Sequence, residues 1–317
     1  MAIAFTFPGQ GSQSVGMGLE LAEKYDVAKQ VFAEVDDALD QKLSAIMWEG
    51  PSDELTLTAN AQPALMAVSM AVLRVLQQEK GFDLTRSVKY VAGHSLGEYS
   101  ALAAAEAIRL GDTAKLLRIR GGAMQEAVPI GKGAMAALLG LDFEPVQEIA
   151  AEAAKETGGV CQAANDNAPG QVVISGDKVA VECAIEIAKT SGARRTVMLP
   201  VSAPFHCQLM SPAANVMQDA LAEVEIKSPG VPLISNVLAQ DITKPDDIRQ
   251  RLVEQVTGVV RWRESVAYMY ANGIQTVFEI GSGRVLTGLA RRIERALDAK
   301  AIEKDEDITA ALEALSL

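Results

Sequence analysis

Short apolar runs and longer amphipathic stretches alternate along almost the whole of this 317-residue chain. Short apolar runs are typical of buried strands, and apolar positions three or four residues apart are typical of helices. Residues 2–7 predict a strand, and a glycine-rich loop follows it through Gly18. Helices are predicted around 19–38 and 61–80. This alternation indicates an α/β fold.

Residues 129–199 show a different order of elements, strand-helix-strand-strand-helix-strand, which is the ferredoxin-like motif. We expect a small ferredoxin-like domain at 129–199 inserted into a larger discontinuous domain, 1–128 and 200–317. The predicted small-domain strands are 133–140, 159–163, 171–175 and 195–199, with helices at 144–157 and 178–190. Further elements are predicted as a helix from 207, a strand at 231–235, two helices, a strand at 275–280, a helix at 284–297 and a partly helical acidic tail.

Composition excludes several classes of protein. A net charge of −12 argues against nucleic acid or an anionic membrane as a partner. No apolar run approaches the roughly 18 residues of a membrane span, and the start predicts a strand rather than a signal peptide. Three cysteines without paired spacing favour neither a disulfide framework nor a metal site, and we expect a cytoplasmic protein.

The most informative motif is Gly93-His94-Ser95-Leu96-Gly97. A β-prone run, 88–92, precedes it and a strongly helix-forming run, 98–108, follows it. A strand that turns at once into a helix must bend sharply at Ser95, and the glycines permit that bend. This arrangement is a nucleophile elbow, which presents a serine hydroxyl at a helix N-terminus. The alternative is a glycine-rich structural turn.

A serine needs a base to accept its proton, and the chain has two histidines. His94 precedes the serine on the strand side, so we expect its side chain to point away from the hydroxyl. His206 lies in an irregular, proline-flanked stretch, and we favour it as the base over a purely structural role. No acid between Ser95 and His206 is well placed to orient the imidazole, so a carbonyl or an amide is the other possibility.

Arg120 lies on the apolar face of a predicted helix, and Lys115 and Arg118 on its solvated face. A buried guanidinium needs an anionic partner, and its fork suits a carboxylate. An internal ion pair and a substrate carboxylate remain equally good interpretations. The loop 8–18 is not a dinucleotide fingerprint, because Ser14 replaces the third glycine. It could place a backbone N–H beside that of Leu96 to form an oxyanion hole, or be an ordinary glycine turn.

Several motifs in order resemble the malonyl-CoA:acyl carrier protein transacylase family, over nearly the whole chain. They are Phe7-Pro8-Gly9-Gln10-Gly11-Ser12-Gln13, Gln62-Pro63-Ala64, 93–101, Arg120-Gly121, Gln125-Glu126-Ala127 and 281–286. The resemblance implies an α/β-hydrolase-like large domain with a parallel sheet and an inserted ferredoxin-like domain. It also implies Ser95 as nucleophile, His206 as base and Arg120 as the site of the malonyl carboxylate.

The same resemblance implies an oxyanion hole formed by the Gln10 and Leu96 amides. Gln255 matches the family glutamine whose backbone carbonyl orients the histidine, but Gly258-Val259 replaces the usual Asn-Pro after it. Phe205 stands where, in related polyketide acyltransferases, a phenylalanine accompanies preference for malonyl over methylmalonyl.

The leading hypothesis is therefore a ping-pong transfer of malonyl from malonyl-CoA to holo-acyl carrier protein for fatty acid synthesis, without metal or other cofactor. A serine esterase or thioesterase is the chief alternative, and a non-catalytic carrier-binding scaffold is the second. Because carrier proteins are typically acidic, docking on this acidic chain requires a local basic patch. We expect it at Arg194-Arg195 or on one helix face formed by Arg284, Arg291 and Arg292, although those arginines could equally be a solvated face.

Overall fold

The computed structural model describes residues 2–201, 203–312 and 315. Its strands are β1 (Ala2–Phe7), β2 (Val88–Gly93), β3 (Gly133–Leu139), β4 (Cys161–Ala168), β5 (Gln171–Asp177), β6 (Arg195–Met198), β7 (Leu233–Ile234), β8 (Asp241–Ile242), β9 (Ile274–Ile280) and β10 (Asp298–Ile302). Its helices are α1 (Leu19–Lys24), α2 (Asp26–Leu39), α3 (Leu43–Glu49), α4 (Ser52–Thr56), α5 (Thr58–Lys80), α6 (Leu84–Ser87), α7 (Gly97–Ala104), α8 (Leu110–Glu126), α9 (Phe143–Thr157), α10 (Lys178–Thr190), α11 (Ser211–Ala222), α12 (Pro245–Thr257), α13 (Trp262–Ala271), α14 (Val285–Ile293) and α15 (Asp305–Ala311).

The larger sheet has the order β10-β9-β1-β2-β7-β8 and is parallel except for the β7–β8 pair. Its central strand β1 is apolar at almost every position, as expected of a strand covered on both faces. Helices pack on the sheet, and the carboxyl ends of its parallel strands form one edge. That edge is where α/β folds gather functional groups.

The second sheet is antiparallel, with the order β4-β5-β3-β6, and α9 and α10 pack against it. The chain is thus a mixed α/β protein with one parallel-rich sheet and one antiparallel sheet. The two are joined where Val260 accepts from the Asp166 amide of β4, and where the buried Asp166 carboxylate pairs with Arg263 of α13 at 2.8 Å. This junction places β4 beside the carboxyl-end edge of the larger sheet.

Helix α5 crosses the core between the larger sheet and helices α2 and α8. It is long and apolar enough to span a membrane by length and composition, but 89% of its most apolar window is buried inside the protein. A helix covered this fully by its own protein behaves as a core helix.

Several element boundaries differ from the sequence prediction. The predicted helix at 19–38 is broken at Tyr25, which is extended and whose hydroxyl donates to Asp305 of α15. The predicted tail contains β10, which pairs with β9 although alanine gives little strand signal. The segment between the predicted strands 159–163 and 171–175 is mostly strand as well, because β4 continues to Ala168 along β5.

Candidate active site

Ser95 lies at the sharp turn between β2 and α7, with a φ of 53°. The turn requires both flanking glycines. A Cβ on Gly93 would lie 1.9 Å from the Gly97 carbonyl, and a Cβ on Gly97 would lie 2.2 Å from the Phe7 oxygen. Asn236, on the loop after β7, closes the turn by accepting from the Ser95 amide and donating to the Gly93 carbonyl. The bend therefore holds the hydroxyl at the edge of the sheet.

His206 meets the serine from the loop after the second sheet. Its Nε2 lies 2.8 Å from the Ser95 Oγ, and its Nδ1 lies 2.9 Å from the backbone carbonyl of Gln255. That carbonyl is in the last turn of α12, where carbonyl oxygens lack partners within the helix. An N–H on Nδ1 that donates to this carbonyl leaves Nε2 free to accept the serine proton.

The charge state of His206 is set by its surroundings. Burial, and then the positive charge of Arg120, lower the pKa of His206 to about 3. The imidazole is therefore neutral at physiological pH, which is the form a general base requires.

Gly258-Val259 follows directly on the last turn of α12, where the resemblance leads one to expect Asn-Pro. The Gly258 amide donates to the Glu254 carbonyl at 2.9 Å and ends α12. A Cβ on Gly258 would lie 2.8 Å from the same carbonyl oxygen and 2.9 Å from Val237. Glycine at 258 is thus what permits this close approach.

Arg120 is 1% exposed and projects from α8 into the same site. Its guanidinium donates to Gln62 Oε1 at 2.7 Å, to Gln255 Oε1 at 2.8 Å and to Ser95 Oγ at 3.1 Å. Within the described part of the chain, no carboxylate lies within 4 Å of it. Of the two interpretations from sequence, a direct internal ion pair is therefore wrong.

Arg118, predicted on the solvated face of the same helix, is instead half-buried and donates to Asn60.

A cavity of about 470 Å³ opens above the serine. Its lining includes Ser95, His206 and Arg120, together with Gln10 and Leu96, the two residues predicted to supply oxyanion-hole amides. The remaining lining residues are Gly11, Gln13, Thr56, Gln62, His94, Met124, Met135, Asn165, Asn167, Val173, Leu199, Pro200, Val201 and Phe205. The predicted nucleophile, base, oxyanion-hole and substrate-binding residues thus meet in one place, and Gln255 touches two of them, Arg120 and His206. The five arginines predicted for carrier docking do not line this cavity.

His94 faces away from the serine hydroxyl. Its Nε2 lies 2.9 Å from Asn167 Oδ1 of β4, and its ring packs against Trp262 at 5.7 Å between centroids. Its contacts thus link the elbow to the second sheet.

Sequence reasoning gave no role to Gln62, Asn236 or Glu98. Gln62 holds the Arg120 guanidinium and donates to Thr58, which in turn donates to Gln10. Asn236 follows β7 at the carboxyl edge of the sheet, a position that could have marked it in advance. Glu98 contacts Gln255 and Asn236 behind the serine.

The three arginines that we expected on one face of α14 do not all lie together. Arg284 pairs with Asp307, and Arg291 donates to the Ala299 carbonyl at the β10 edge. Arg292 instead reaches Gln171 of β5. The prediction of one shared helix face is wrong, because α14 lies between β10 on one side and the second sheet on the other.

Among the residues that the structure describes, no group of three or more His, Cys, Asp or Glu side chains could hold a metal ion. The side chains that meet at the cavity are a serine, a neutral histidine and a buried guanidinium.

Comparison with known proteins gives consistent matches. Residues 4–308 match the model of the acyl transferase domain family. A relative from Bacillus subtilis (strain 168), named malonyl CoA-acyl carrier protein transacylase, is 47% identical over 99% of this chain and 97% of its own. One of the same name from Escherichia coli (strain K12) is 46% identical over 98% of both chains.

Solved structures match equally well. The acyl-carrier-protein-S-malonyltransferase of Bartonella henselae is 59% identical, with a TM-score of 0.97 over 100% of both chains. A malonyl-transacylase solved in complex with the acyl-carrier protein of a type II PKS is 43% identical, with a TM-score of 0.95 over 99% of this chain and 100% of that one.

Proposed function

The chain belongs to the acyl transferase domain family, and from that premise we propose that it transfers malonyl from malonyl-CoA to an acyl carrier protein. It is an acyltransferase of fatty acid synthesis, and malonyl-CoA and the carrier protein are its partners. The observation that carries the mechanism is the contact of Ser95 Oγ with both His206 Nε2 and the Arg120 guanidinium. One hydroxyl thus lies between a base and a carboxylate-binding group.

In the first half-reaction, Ser95 Oγ attacks the thioester carbonyl while His206 Nε2 takes the hydroxyl proton. The amides of Gln10 and Leu96 bind the resulting oxyanion. The tetrahedral intermediate collapses to a malonyl-serine ester, and the C–S bond breaks. The coenzyme A thiolate leaves with the proton from His206. The phosphopantetheine thiol of the carrier then repeats these steps in reverse, giving its proton to His206 and taking the malonyl group from Ser95.

Arg120 binds the free carboxylate of the malonyl group. The fork already donates to three neutral oxygens, so an arriving carboxylate replaces weaker partners with an anion. Phe205 lines the cavity beside His206 and limits space at the α-carbon, which favours malonyl over methylmalonyl.

We also propose that the larger sheet belongs to an α/β-hydrolase-like domain, 1–128 and 200–317, and the second to a ferredoxin-like domain, 129–199. The elbow supports the first assignment. The order of elements from β3 to β6, folded with the sheet order β4-β5-β3-β6, supports the second. A cytoplasmic location fits the buried, unpaired cysteines Cys161 and Cys207.

Transfer is separated from hydrolysis by a thiol-release assay. With malonyl-CoA alone, we expect one equivalent of coenzyme A and a protein heavier by one malonyl group in intact mass spectrometry. With holo-carrier added, release should become continuous and malonyl-carrier should accumulate. Steady coenzyme A release without carrier, giving free malonate, would identify a thioesterase instead.

In this proposal the carrier docks beside the cavity, at the end of the second sheet where Gly140 and Gly170-Gln171 lie. We call this end the docking edge. Arg194 packs against Gly140, whose amide donates to the Gly170 carbonyl, and Arg292 donates to Gln171. Asn167 of the cavity is three residues from Gly170. Arg194, Arg195 and Arg292 are exposed there, whereas Arg284 and Arg291 line a separate pocket near Asp307.

Charge reversal tests this surface. We expect Arg194→Glu, Arg195→Glu and Arg292→Glu together to raise the KM for holo-carrier by about tenfold or more, because rim charges steer association. Added salt should weaken transfer in the wild type and much less in the triple variant. Self-malonylation should be unchanged. Lys189→Glu, an exposed lysine on α10, is the matched control. An unaltered carrier KM in the triple variant would remove this edge from the docking surface.

A further inference from the structure

Glu98 is a buried acid that the acyl-transfer mechanism does not use. It is 1% exposed in the first turn of α7, directly behind the nucleophile. Within the described residues no cation lies within 4 Å of its carboxyl group. Because burying a charge without a partner is costly, a glutamate here needs a reason.

The contacts of Glu98 lead to the catalytic groups through two amide-bearing residues. Its Oε2 accepts from Gln255 Nε2 at 2.6 Å, and its Oε1 accepts from the backbone N–H of Asn236 at 3.3 Å. The Gln255 side chain also donates to the Ser95 carbonyl and accepts from Arg120, and its backbone carbonyl accepts from His206. Glu98 thus touches both residues that fix the elbow.

The Gln255 amide lies between two opposite ionisable groups. Its Oε1 accepts from the Arg120 guanidinium, and its Nε2 donates to Glu98. An ionised Glu98 polarises this amide toward Arg120 and balances the guanidinium charge. A neutral Glu98 leaves that charge unbalanced and attractive to an incoming carboxylate.

We propose that Glu98 is a positioning residue for malonyl transfer: it holds Gln255 and Asn236, and its charge state decides how strongly Arg120 attracts the malonyl carboxylate. This inference rests on the proposed function, since it concerns the carboxylate that distinguishes malonyl from acetyl.

Among the ionisable groups that surround the Gln255 side chain, we expect Glu98 to be the one that ionises near pH 8. Burial raises the pKa of Glu98 to about 8, although Gln255, Asn236 and Arg120 act in the opposite direction. From the neighbouring elements, Arg120 on α8 stays cationic, and burial raises the pKa of Tyr99 on α7 beyond this range. The pKa values of His94 and His206 are lowered, so both are neutral. Glu98 is therefore protonated at neutral pH and ionises on the alkaline side.

The test is the pH dependence of KM for malonyl-CoA and acetyl-CoA between pH 6.5 and 9.5. In the wild type, KM for malonyl-CoA should rise above about pH 8, by up to about tenfold per pH unit for one ionising group. KM for acetyl-CoA should not rise. Glu98→Gln, which keeps an acceptor for Gln255 but cannot ionise, should remove the malonyl rise.

Two further variants distinguish a positioning role of Glu98 from a purely structural one. Glu98→Ala should lower kcat/KM for malonyl transfer at pH 7 by about 10- to 100-fold, since small misplacements cost this much, and Glu98→Gln should restore most of it. Glu279→Gln removes a buried carboxyl outside the site and should keep the alkaline rise.

An alkaline rise that persists in Glu98→Gln would overturn the inference. So would a Glu98→Gln variant that loses as much kcat/KM for malonyl transfer at pH 7 as Glu98→Ala. A wild type that forms the malonyl adduct with constant KM would overturn this inference alone. A wild type that forms no adduct would overturn the proposed function.

Discussion

Ser95→Ala is expected to abolish covalent malonylation while leaving the fold intact. Alanine keeps the Cβ, so the backbone at φ 53° is no more strained than with serine, and Asn236 still accepts from the backbone amide of residue 95. The substitution removes a single heavy atom, the Oγ that forms the ester. Intact-protein mass spectrometry after brief exposure to malonyl-CoA should show no adduct, and the thermal unfolding midpoint should stay close to that of the wild type.

Ser100→Ala provides the matched control. Ser100 is also buried on α7 but lies more than one turn beyond the elbow. This variant should still take up one malonyl group, located on Ser95 by peptide mapping. An adduct that persists in Ser95→Ala would exclude Ser95 as the nucleophile.

The sequence predicted the elbow well because its geometry is local. A strand, two glycines and a helix within about 15 residues leave one way to turn, and steric contacts at Gly93 and Gly97 enforce it. The alternation of strands and helices could be predicted for a similar reason. Burial on both faces of β1, or on one face of α10, produces a local pattern of apolar positions in the sequence.

The rest of the site depends on contacts between distant parts of the chain. Asn236 lies 141 residues from the amide it holds, and Gln255 lies 157 residues from Glu98. The hydrophobic periodicity of the sequence cannot predict contacts between residues so far apart. The same reason explains β10, which is a strand because it pairs with the edge of β9. It also explains why the arginines of α14 lie apart, since different elements flank that helix on its two sides.

Arg120→Ala is expected to lower malonyl transfer far more than acetyl transfer. The malonyl carboxylate would lose its cation in a buried site, and losing one partner of a buried pair costs about 3–5 kcal/mol. At about 1.4 kcal/mol per factor of ten, this corresponds to a loss of about 10²- to 10⁴-fold in kcat/KM for malonyl-CoA. Acetyl has no carboxylate, so the wild-type guanidinium faces it as an unbalanced buried charge, and removing that charge should leave acetyl transfer equal or improved.

The measurement is self-acylation with malonyl-CoA and acetyl-CoA in parallel, with Lys115→Ala as the control for loss of a cation from α8. Lys115 is exposed on the same helix, so both rates should match those of the wild type. Arg120→Lys should recover only part of the malonyl rate, because an ammonium cannot donate at once to Gln62, Gln255 and a carboxylate with the geometry of the fork. Equal losses for the two acyl groups in Arg120→Ala would show that Arg120 supports the site through Gln62 and Gln255 rather than by binding the substrate carboxylate.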